Sequence, residues 1–210
     1  LIEKCKEMLD IEREIILKAI GTTAADKQIV IEDLNRDVAE FRENNKAVYL
    51  AGYHAAEKNL AARLKTLVNA PGGISRIDSG RAIQWVQEKL SITLAEKQIE
   101  AVRRSAENKV MVITGGPGTG KTTIINAILK IFAAKKTKIL LAAPTGRAAK
   151  RMSETTNYEA RTIHRLLEFN FKKGGFQKNE ETPLDCRLLI VDEVSMIDTL
   201  LMNSLLKAIP

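Results

Sequence analysis

The residues with the clearest capacity for chemistry form a glycine-rich stretch at positions 115–123. The stretch matches the pattern G-x-x-x-x-G-K-[ST] at every defined position. Glycines let backbone N–H groups converge on phosphate oxygens, and a following helix N-terminus adds partial positive charge. We expect Lys121 to reach the β- and γ-phosphates of a nucleotide and Thr122 to place its hydroxyl on Mg²⁺. The predicted phosphate-binding loop consists of Gly115, Gly116, Pro117, Gly118, Thr119, Gly120, Lys121, Thr122 and Thr123.

Apolar segments flank this loop on both sides. The run at 110–114 predicts a buried strand, and the spacing of Ile124, Ile125, Ala127, Ile128 and Ile131 predicts a helix. A glycine-rich turn that matches the pattern by chance is the alternative interpretation. The strand before the loop and the helix after it favour phosphate binding.

An acidic pair, Asp192-Glu193, follows another apolar run at 188–191. One carboxylate at a strand end can hold Mg²⁺, and the next can orient or deprotonate an attacking water. We assign Asp192 to the metal and Glu193 to the base. An isolated acidic pair is usually a solvated turn, and the phosphate-binding loop upstream is what favours a catalytic role here.

Apolar runs at 110–114, 138–143 and 188–191 alternate with helical patterns. This order predicts an α/β fold in which helices cover both faces of a parallel sheet. Ligands of such sheets gather at the carboxyl ends of the strands. The glycine-rich loop, the turn after Ala143 and the acidic pair are all expected there.

The first part of the chain reads as a small, mainly helical module over residues 1–73, followed by the α/β domain over 74–210. Pro71-Gly72-Gly73 marks the expected boundary. A role for this module in binding DNA or a partner is open, but packing is favoured because no basic face is evident. Within the module the patterns predict helices at 1–20 with a stop at Gly21, at 24–36 and at 52–68, and a hairpin turn within 41–50.

The remaining predicted elements lie between and after the motifs. A helix is expected over 78–90, and Thr93 with Glu96 fits a capping box that starts the next helix. A short helix is predicted at 160–167, a loop or hairpin at 169–185, and a last helix at 199–209.

Composition narrows the class of protein without fixing a partner. Lysine plus arginine number 33 against 26 aspartate plus glutamate, a net charge of +7 that permits a polyanionic partner. Cys5 and Cys186 fit no metal spacing or disulfide framework, and Cys186 reads as a core thiol. Because no apolar run reaches transmembrane length and no signal-peptide pattern is present, a cytoplasmic protein without membrane association is expected. The start at Leu1 and the stop at Pro210 suggest part of a longer protein.

Five stretches together resemble one known family, the RecD-like group of superfamily-one DNA helicases, of which exodeoxyribonuclease V alpha chain is a member. The glycine-rich loop alone is generic, whereas the stretches at 143–152 and 191–198 are much more specific. The stretches are Leu-Ala-Glu-Lys-Gln at 94–98, the loop at 115–123, Ala-Pro-Thr-Gly-Arg-Ala-Ala-Lys-Arg-Met at 143–152, Ala-Arg-Thr-Ile-His-Arg-Leu-Leu at 160–167, and Val-Asp-Glu-Val-Ser-Met-Ile-Asp at 191–198.

The resemblance implies a RecA-like P-loop domain and assigns roles to further residues. Gln98 would read the adenine edge of ATP through its side-chain amide, which offers both a donor and an acceptor. A second set would contact the backbone of single-stranded DNA. Without the resemblance, Gln98 reads as a surface glutamine, His164 as a capping or packing residue, and Arg147 as part of a solvated basic face. The implied DNA-binding residues are Pro144, Thr145, Gly146, Arg147, Thr162 and His164.

The implied activity is that of an ATP-dependent helicase of recombination or repair that moves 5′ to 3′. Its partners would be single-stranded DNA, or duplex with a single-stranded end, and nuclease-helicase subunits. The second RecA-like domain of the family and its arginines have no counterpart in this sequence, and such an arginine is worth a factor of roughly 10³ or more in rate. We therefore expect the chain to bind ATP and Mg²⁺ weakly and to show little turnover.

Two other classes of protein remain open at this point. One is a P-loop ATPase switch or loader whose nucleotide controls a protein interaction. The other is a small-molecule P-loop kinase, which lacks an evident lid or acceptor site. A shared surface formed by Thr145, Arg147, Thr162 and His164 beside Lys121 would favour the helicase over both.

Overall fold

The computed structural model describes residues 1–35, 45–70 and 77–210. The chain divides into two compact units, Leu1–Asn59 and Leu60–Pro210. The boundary expected at Pro71-Gly72-Gly73 lies outside the described residues, so the division into 1–73 and 74–210 stays a prediction.

The first unit contains a helical hairpin and a β-hairpin. Helices α1 (Ile2–Leu9) and α2 (Arg13–Ala25) replace the single helix expected over 1–20. The break falls at Asp10, whose φ of 50° ends α1 in the left-handed region. Gly21 does not stop α2, since a single glycine inside a helix costs only about 1 kcal/mol.

The helix expected at 24–36 is wrong. Strand β1 (Ile29–Asp33) pairs antiparallel with β2 (Lys46–Leu50), with Ile31 opposite Val48. The turn expected within 41–50 falls partly outside the described residues, but its second arm is β2. Helix α3 (Ala51–Asn69) follows at once, close to the bounds predicted from the sequence.

The second unit carries the elements of the predicted α/β domain. A three-stranded parallel sheet has the order β4-β3-β7, and a small hairpin joins β5 to β6. A single 3₁₀ turn, Val194–Met196, follows β7. The elements are α4 (Ser79–Leu90), α5 (Glu96–Glu107), α6 (Lys121–Ala134), β3 (Ile139–Ala143), α7 (Gly146–Thr156), β4 (Ala160–Thr162), α8 (Ile163–Leu166), β5 (Phe169–Asn170), β6 (Gly175–Phe176), β7 (Leu188–Val191) and α9 (Thr199–Lys207).

Alternate side chains of the strands contact helices on opposite faces of the sheet. Leu188 and Ile190 of β7 pack on the cluster built by α4, α5 and α6, whereas Leu189 and Val191 pack on the cluster of α8 and α9. This alternation follows from the period of two in a strand. The α/β class with helices on both faces is therefore confirmed.

Three local predictions differ from the structure. Residues 110–114 are not assigned as a strand, because they form no ladder with any strand of the described part of the chain. Thr93 does not cap α5, whose N-cap is Ala95. The short helix expected at 160–167 is instead β4 followed by α8, since 160–162 pair with β3. The hairpin expected within 169–185 is present as β5 and β6.

Candidate nucleotide and nucleic-acid site

The phosphate-binding loop has the backbone conformation that its glycines permit. Gly118 and Gly120 have φ values of 74° and 84°, in the region that side chains other than glycine rarely adopt. Gly120 is also the N-cap of α6, so the loop leads directly into the positive end of this helix. Six residues of α6 are buried in the core, which holds the helix in place. Thr119 closes the loop by donating its hydroxyl to the Gly116 carbonyl oxygen at 2.9 Å.

Lys121 folds back over its own loop. Its Nζ donates to the carbonyl oxygens of Gly115 and Gly116 at 2.5 and 2.6 Å. The ammonium is thus held at the mouth of the loop by neutral acceptors, which an anion can replace with a stronger, charge-assisted partner. Thr122 in the next position is exposed, and Thr123 is half-buried.

A depression of about 660 Å³ adjoins the loop. It is bordered by α5 on one side and by residues 110–115 on the other, and Gln98, Thr119 and Lys121 all contribute to its lining. Its size falls within the range of ligand pockets in proteins. The structure therefore brings Gln98 and the loop together at one cavity.

Gln98 uses both ends of its side-chain amide. Its Oε1 accepts a hydrogen bond from the Ala95 backbone N–H at 2.9 Å, which caps α5. Its Nε2 donates to the Thr119 carbonyl oxygen at 3.4 Å. Sequence reasoning placed Gln98 near the nucleotide but did not foresee these two contacts.

Two cations share one carboxylate on the α5 face of the depression. The Lys97 ammonium donates to Glu100 at 3.2 Å, and Arg104 contacts the same carboxylate at 2.7 Å. The hydrogen bond and charge of Lys97, followed by the charge of Arg104, lower the pKa of Glu100. Glu100 therefore stays ionised at neutral pH and holds both cations along the helix.

The acidic pair leaves the sheet at the carboxyl end of β7. Asp192 accepts the Glu193 backbone N–H on its Oδ1 at 2.9 Å. Glu193 is exposed and has φ 52° and ψ 41°, a left-handed conformation that costs a residue with a Cβ about 1–2 kcal/mol. Six other described residues with a Cβ occupy the same region, so this conformation does not by itself mark a site, and the catalytic roles of the pair stay a prediction.

The candidate DNA segments leave the carboxyl ends of two neighbouring strands. Ala143 is paired with Thr162 in the parallel ladder of β3 and β4. Thr145 caps α7 by accepting the Ala148 N–H at 3.2 Å, and Thr162 caps α8 by accepting the Arg165 N–H at the same distance. Each hydroxyl keeps its own proton, which it can donate to a phosphate oxygen.

Arg147 and Gly146 are exposed in the first turn of α7, and Pro144 is half-buried before it. His164 is exposed as well, and its ring lies 5.5 Å from that of Phe176 and 6.1 Å from that of Phe169. The structure thus brings the 144–147 segment and Thr162 to one edge of the sheet and places His164 in an aromatic cluster beside it.

The aromatic cluster at the β5–β6 hairpin was missed from the sequence. Phe169 and Phe176 face each other across the hairpin, and Phe171 is 90% exposed with its ring 4.9 Å from that of Phe169. Lys172 and Lys173 follow at the exposed turn. The grouping of three phenylalanines and two lysines over 169–176 is the signal that could have identified it as a candidate surface for nucleobases.

The described residues contain no helix whose length and apolarity would let it cross a membrane. In the same part of the chain, no cluster of three or more histidine, cysteine, aspartate or glutamate side chains is arranged to hold a metal. A Mg²⁺ site in a P-loop protein does not need such a cluster, because Mg²⁺ keeps waters and takes substrate phosphates as ligands.

Comparison with known proteins identifies relatives of the chain. A family model described as "AAA domain" matches residues 98–210, more than half of the chain. The ATP-dependent RecD2 DNA helicase of Deinococcus radiodurans is 40% identical over 164 residues, which are 78% of this chain and 22% of that protein. The RecBCD enzyme subunit RecD of Buchnera aphidicola is 33% identical over 183 residues, covering 77% of this chain and 30% of that protein.

The ATP-dependent DNA helicase dda of phage T4 is 41% identical over 111 residues, which are 50% of this chain and 25% of that protein. The chain thus spans between about a fifth and a third of the length of these relatives. The matched span of the family model contains Gln98, the phosphate-binding loop, the acidic pair and the two candidate DNA segments. The chain belongs to the AAA domain family and is a homologue of the RecD and RecD2 DNA helicases.

Proposed function

We propose that this chain is the ATP-binding first motor domain, with a preceding small module, of a longer ATP-dependent DNA helicase that acts in recombination or repair. One observation carries the proposal. The acidic pair after β7 and the 144–147 segment after β3 leave the sheet on neighbouring strands, joined by the hydrogen bond from Asp192 N–H to Ala142 O at 3.0 Å. A nucleotide-hydrolysing group and a DNA contact are thereby held on one rigid support.

The residues of the loop fit a magnesium-bound nucleoside triphosphate. A Cβ at Gly115 would lie 2.7 Å from Thr119 Oγ1, the hydroxyl that closes the loop on Gly116. Backbone N–H groups at the start of α6 and the Lys121 ammonium supply positive charge for phosphate oxygens. Thr122 and Asp192 would hold Mg²⁺, which when bound neutralises charge on the phosphates.

The remaining residues would prepare the site for hydrolysis and for DNA. Glu193 would accept a proton from the attacking water, or orient that water, from its exposed position after Asp192. Pro144, Thr145, Gly146, Arg147, Thr162 and His164 would contact the backbone of single-stranded DNA. The exposed Phe171 beside Lys172 and Lys173 adds a stacking surface of the kind that single-strand binders use.

Several finer features belong to the same proposal. Movement from 5′ to 3′ and a cytoplasmic location are carried over from the sequence resemblance to RecD-like helicases. Assembly with nuclease-helicase subunits is proposed because several relatives are named as RecBCD enzyme subunits. The catalytic arginines and the opening and closing needed for translocation would come from a second motor domain. The 210-residue chain would therefore bind ATP and Mg²⁺ with little turnover.

The test is nucleotide binding by this chain, followed with a fluorescent ATP analogue in the presence of Mg²⁺. Lys121→Ala should weaken binding at least about tenfold, because a charge-assisted contact to phosphate is lost. Lys130→Ala is the matched control, since Lys130 is an exposed lysine of the same helix. Equal affinity of the Lys121→Ala variant and the wild type would refute the phosphate site.

A second arm separates the helicase from a nucleotide switch that controls a protein interaction. The affinity for the ATP analogue is measured with and without an oligothymidylate. A helicase domain should show a change, since the two sites share neighbouring strands and any coupling is reciprocal. Nucleotide binding without any binding of the oligonucleotide would favour the switch.

A further inference from the structure

We propose that Gln98 is a positioning residue that holds the phosphate-binding loop in its anion-accepting shape before a nucleotide arrives. This role is separate from reading the base. It rests on the proposed function only in taking the loop to be the phosphate site.

The first support is the pair of hydrogen bonds made by one amide. Oε1 accepts from the Ala95 N–H and Nε2 donates to the Thr119 carbonyl oxygen. Ala95 is the N-cap of α5, and Thr119 is the residue before the N-cap of α6. Gln98 therefore ties the starts of two helices together through a single planar group.

The second support is the close packing of Gln98 against Gly120. A Cβ at Gly120 would overlap Gln98 Nε2, and its φ of 84° also disfavours a side chain. Glycine at position 120 therefore permits both the close contact with Gln98 and the left-handed backbone of the loop. Since Thr119 also bonds Gly116, the contact from Gln98 reaches the loop at the residue that closes it.

The consequence is a base-independent effect on phosphate binding. A loop that must be ordered at the moment of binding lowers the apparent affinity for any ligand that needs the ordered form. Loss of the Gln98 contacts should therefore weaken the binding of inorganic tripolyphosphate, GTP and ATP to the same extent. A residue that only reads adenine would affect ATP alone.

The experiment uses Gln98→Leu, which keeps most of the side-chain volume and removes both hydrogen bonds, and Gln98→Ala as a second variant. Gln87→Leu is the matched control. Gln87 Oε1 accepts the Leu94 N–H at 2.8 Å, so it anchors the same connection between α4 and α5 without contacting the loop. Thermal unfolding of each variant establishes that the domain is folded at the temperature of the assays.

The first readout is hydrogen exchange of the backbone amides at 115–120 without nucleotide. We expect exchange about two- to tenfold faster in Gln98→Leu, as for the loss of one or two ordinary hydrogen bonds, and no change in Gln87→Leu. Equal exchange in Gln98→Leu and the wild type would overturn the positioning role. This readout needs no ligand, so it remains decisive even if the chain failed to bind ATP.

The second readout is binding of tripolyphosphate, GTP and ATP. A loss of about threefold to tenfold shared by all three ligands is expected for both Gln98 variants. A loss confined to ATP would overturn the inference and leave adenine recognition as the role of Gln98. Failure of the wild type to bind any of the three would instead reject the proposed nucleotide site.

Discussion

The Asp192 backbone N–H donates to the Ala142 carbonyl oxygen at 3.0 Å, one residue before β3 ends at Ala143. This hydrogen bond sets the register between β3 and β7 at their carboxyl ends, where the 144–147 segment and the acidic pair leave the sheet. Both strands carry side chains into the same two packed layers, Leu141 and Ala142 being almost fully buried. Because packed interiors move little, a shift at one strand end is transmitted to the other.

Replacement of Arg147 by alanine should weaken the binding of single-stranded DNA. Arg147 is exposed in the first turn of α7, where a guanidinium can reach a phosphate. Losing one phosphate contact should reduce the slope of log affinity against log salt by about 0.7. The measurement is fluorescence anisotropy with oligothymidylate over a range of salt. Arg103→Ala, which removes an exposed arginine of α5, should leave the slope unchanged, and an unchanged slope in Arg147→Ala would remove Arg147 from the DNA site.

Thr145 allows helix capping and DNA binding to be separated. Thr145→Val removes the acceptor for the Ala148 N–H and should lower the free energy of unfolding by about 1 kcal/mol. Thr145→Asp keeps the cap, because aspartate is among the best N-cap residues, but places a negative charge beside the DNA phosphates. We expect near-normal stability and weakened DNA binding in Thr145→Asp, measured by urea denaturation and anisotropy. Full DNA affinity in Thr145→Asp would contradict a phosphate contact at this position.

Glu193 should show an inverted order of stability between glycine and alanine. Its φ of 52° is strained for any residue with a Cβ, so Glu193→Gly should be more stable than Glu193→Ala by about 1 kcal/mol. At Glu154, inside α7, the glycine variant should be the less stable by about 1 kcal/mol. Urea denaturation of the four variants makes the comparison. If the alanine variant were the more stable one at position 193 as well as at position 154, the backbone of Glu193 would not be strained.

Features of the structure that depend on neighbouring residues could be predicted from the sequence, whereas features that depend on distant residues could not. The loop, α6, β3, β7 and the acidic pair follow from short patterns in which neighbouring residues decide the outcome. β1 was missed because Ile29–Asp33 becomes a strand only through its partner β2, which comes later in the chain. The left-handed Lys27, with φ 58°, separates it from α2 and carries no strong sequence signal.

Residues 110–114 show the opposite error. Their apolar character predicts a buried strand, yet Val112 is 82% exposed and the segment has no ladder within the described part of the chain. A strand is defined by a neighbour, which composition alone does not supply. The Gln98 contacts were missed for a similar reason, since Ala95 is close in sequence but Thr119 is 21 residues away.

Cys186 should react with alkylating reagents only at raised pH. Burial, followed by the charge of Asp185, raises the pKa of the Cys186 thiol, while Lys138 acts in the opposite direction. Because the thiolate is the nucleophile, alkylation by iodoacetamide should rise at a higher pH in the folded protein than the value of about 8.5 for a free cysteine. The Cys5→Ser variant leaves Cys186 as its single thiol.

The sign of the linkage follows from the same shift. The folded state favours the protonated thiol, so its contribution to the free energy of unfolding is complete below the pKa of the unfolded chain and is lost as the pH rises through the folded pKa. The Cys5→Ser protein in denaturing urea provides the reference titration, with the ordinary thiol pKa. Lys138→Gln should move the folded curve to still higher pH, since it removes a nearby cation that favours the thiolate. Coincident alkylation curves for folded and unfolded protein would contradict the burial of Cys186 beside β7.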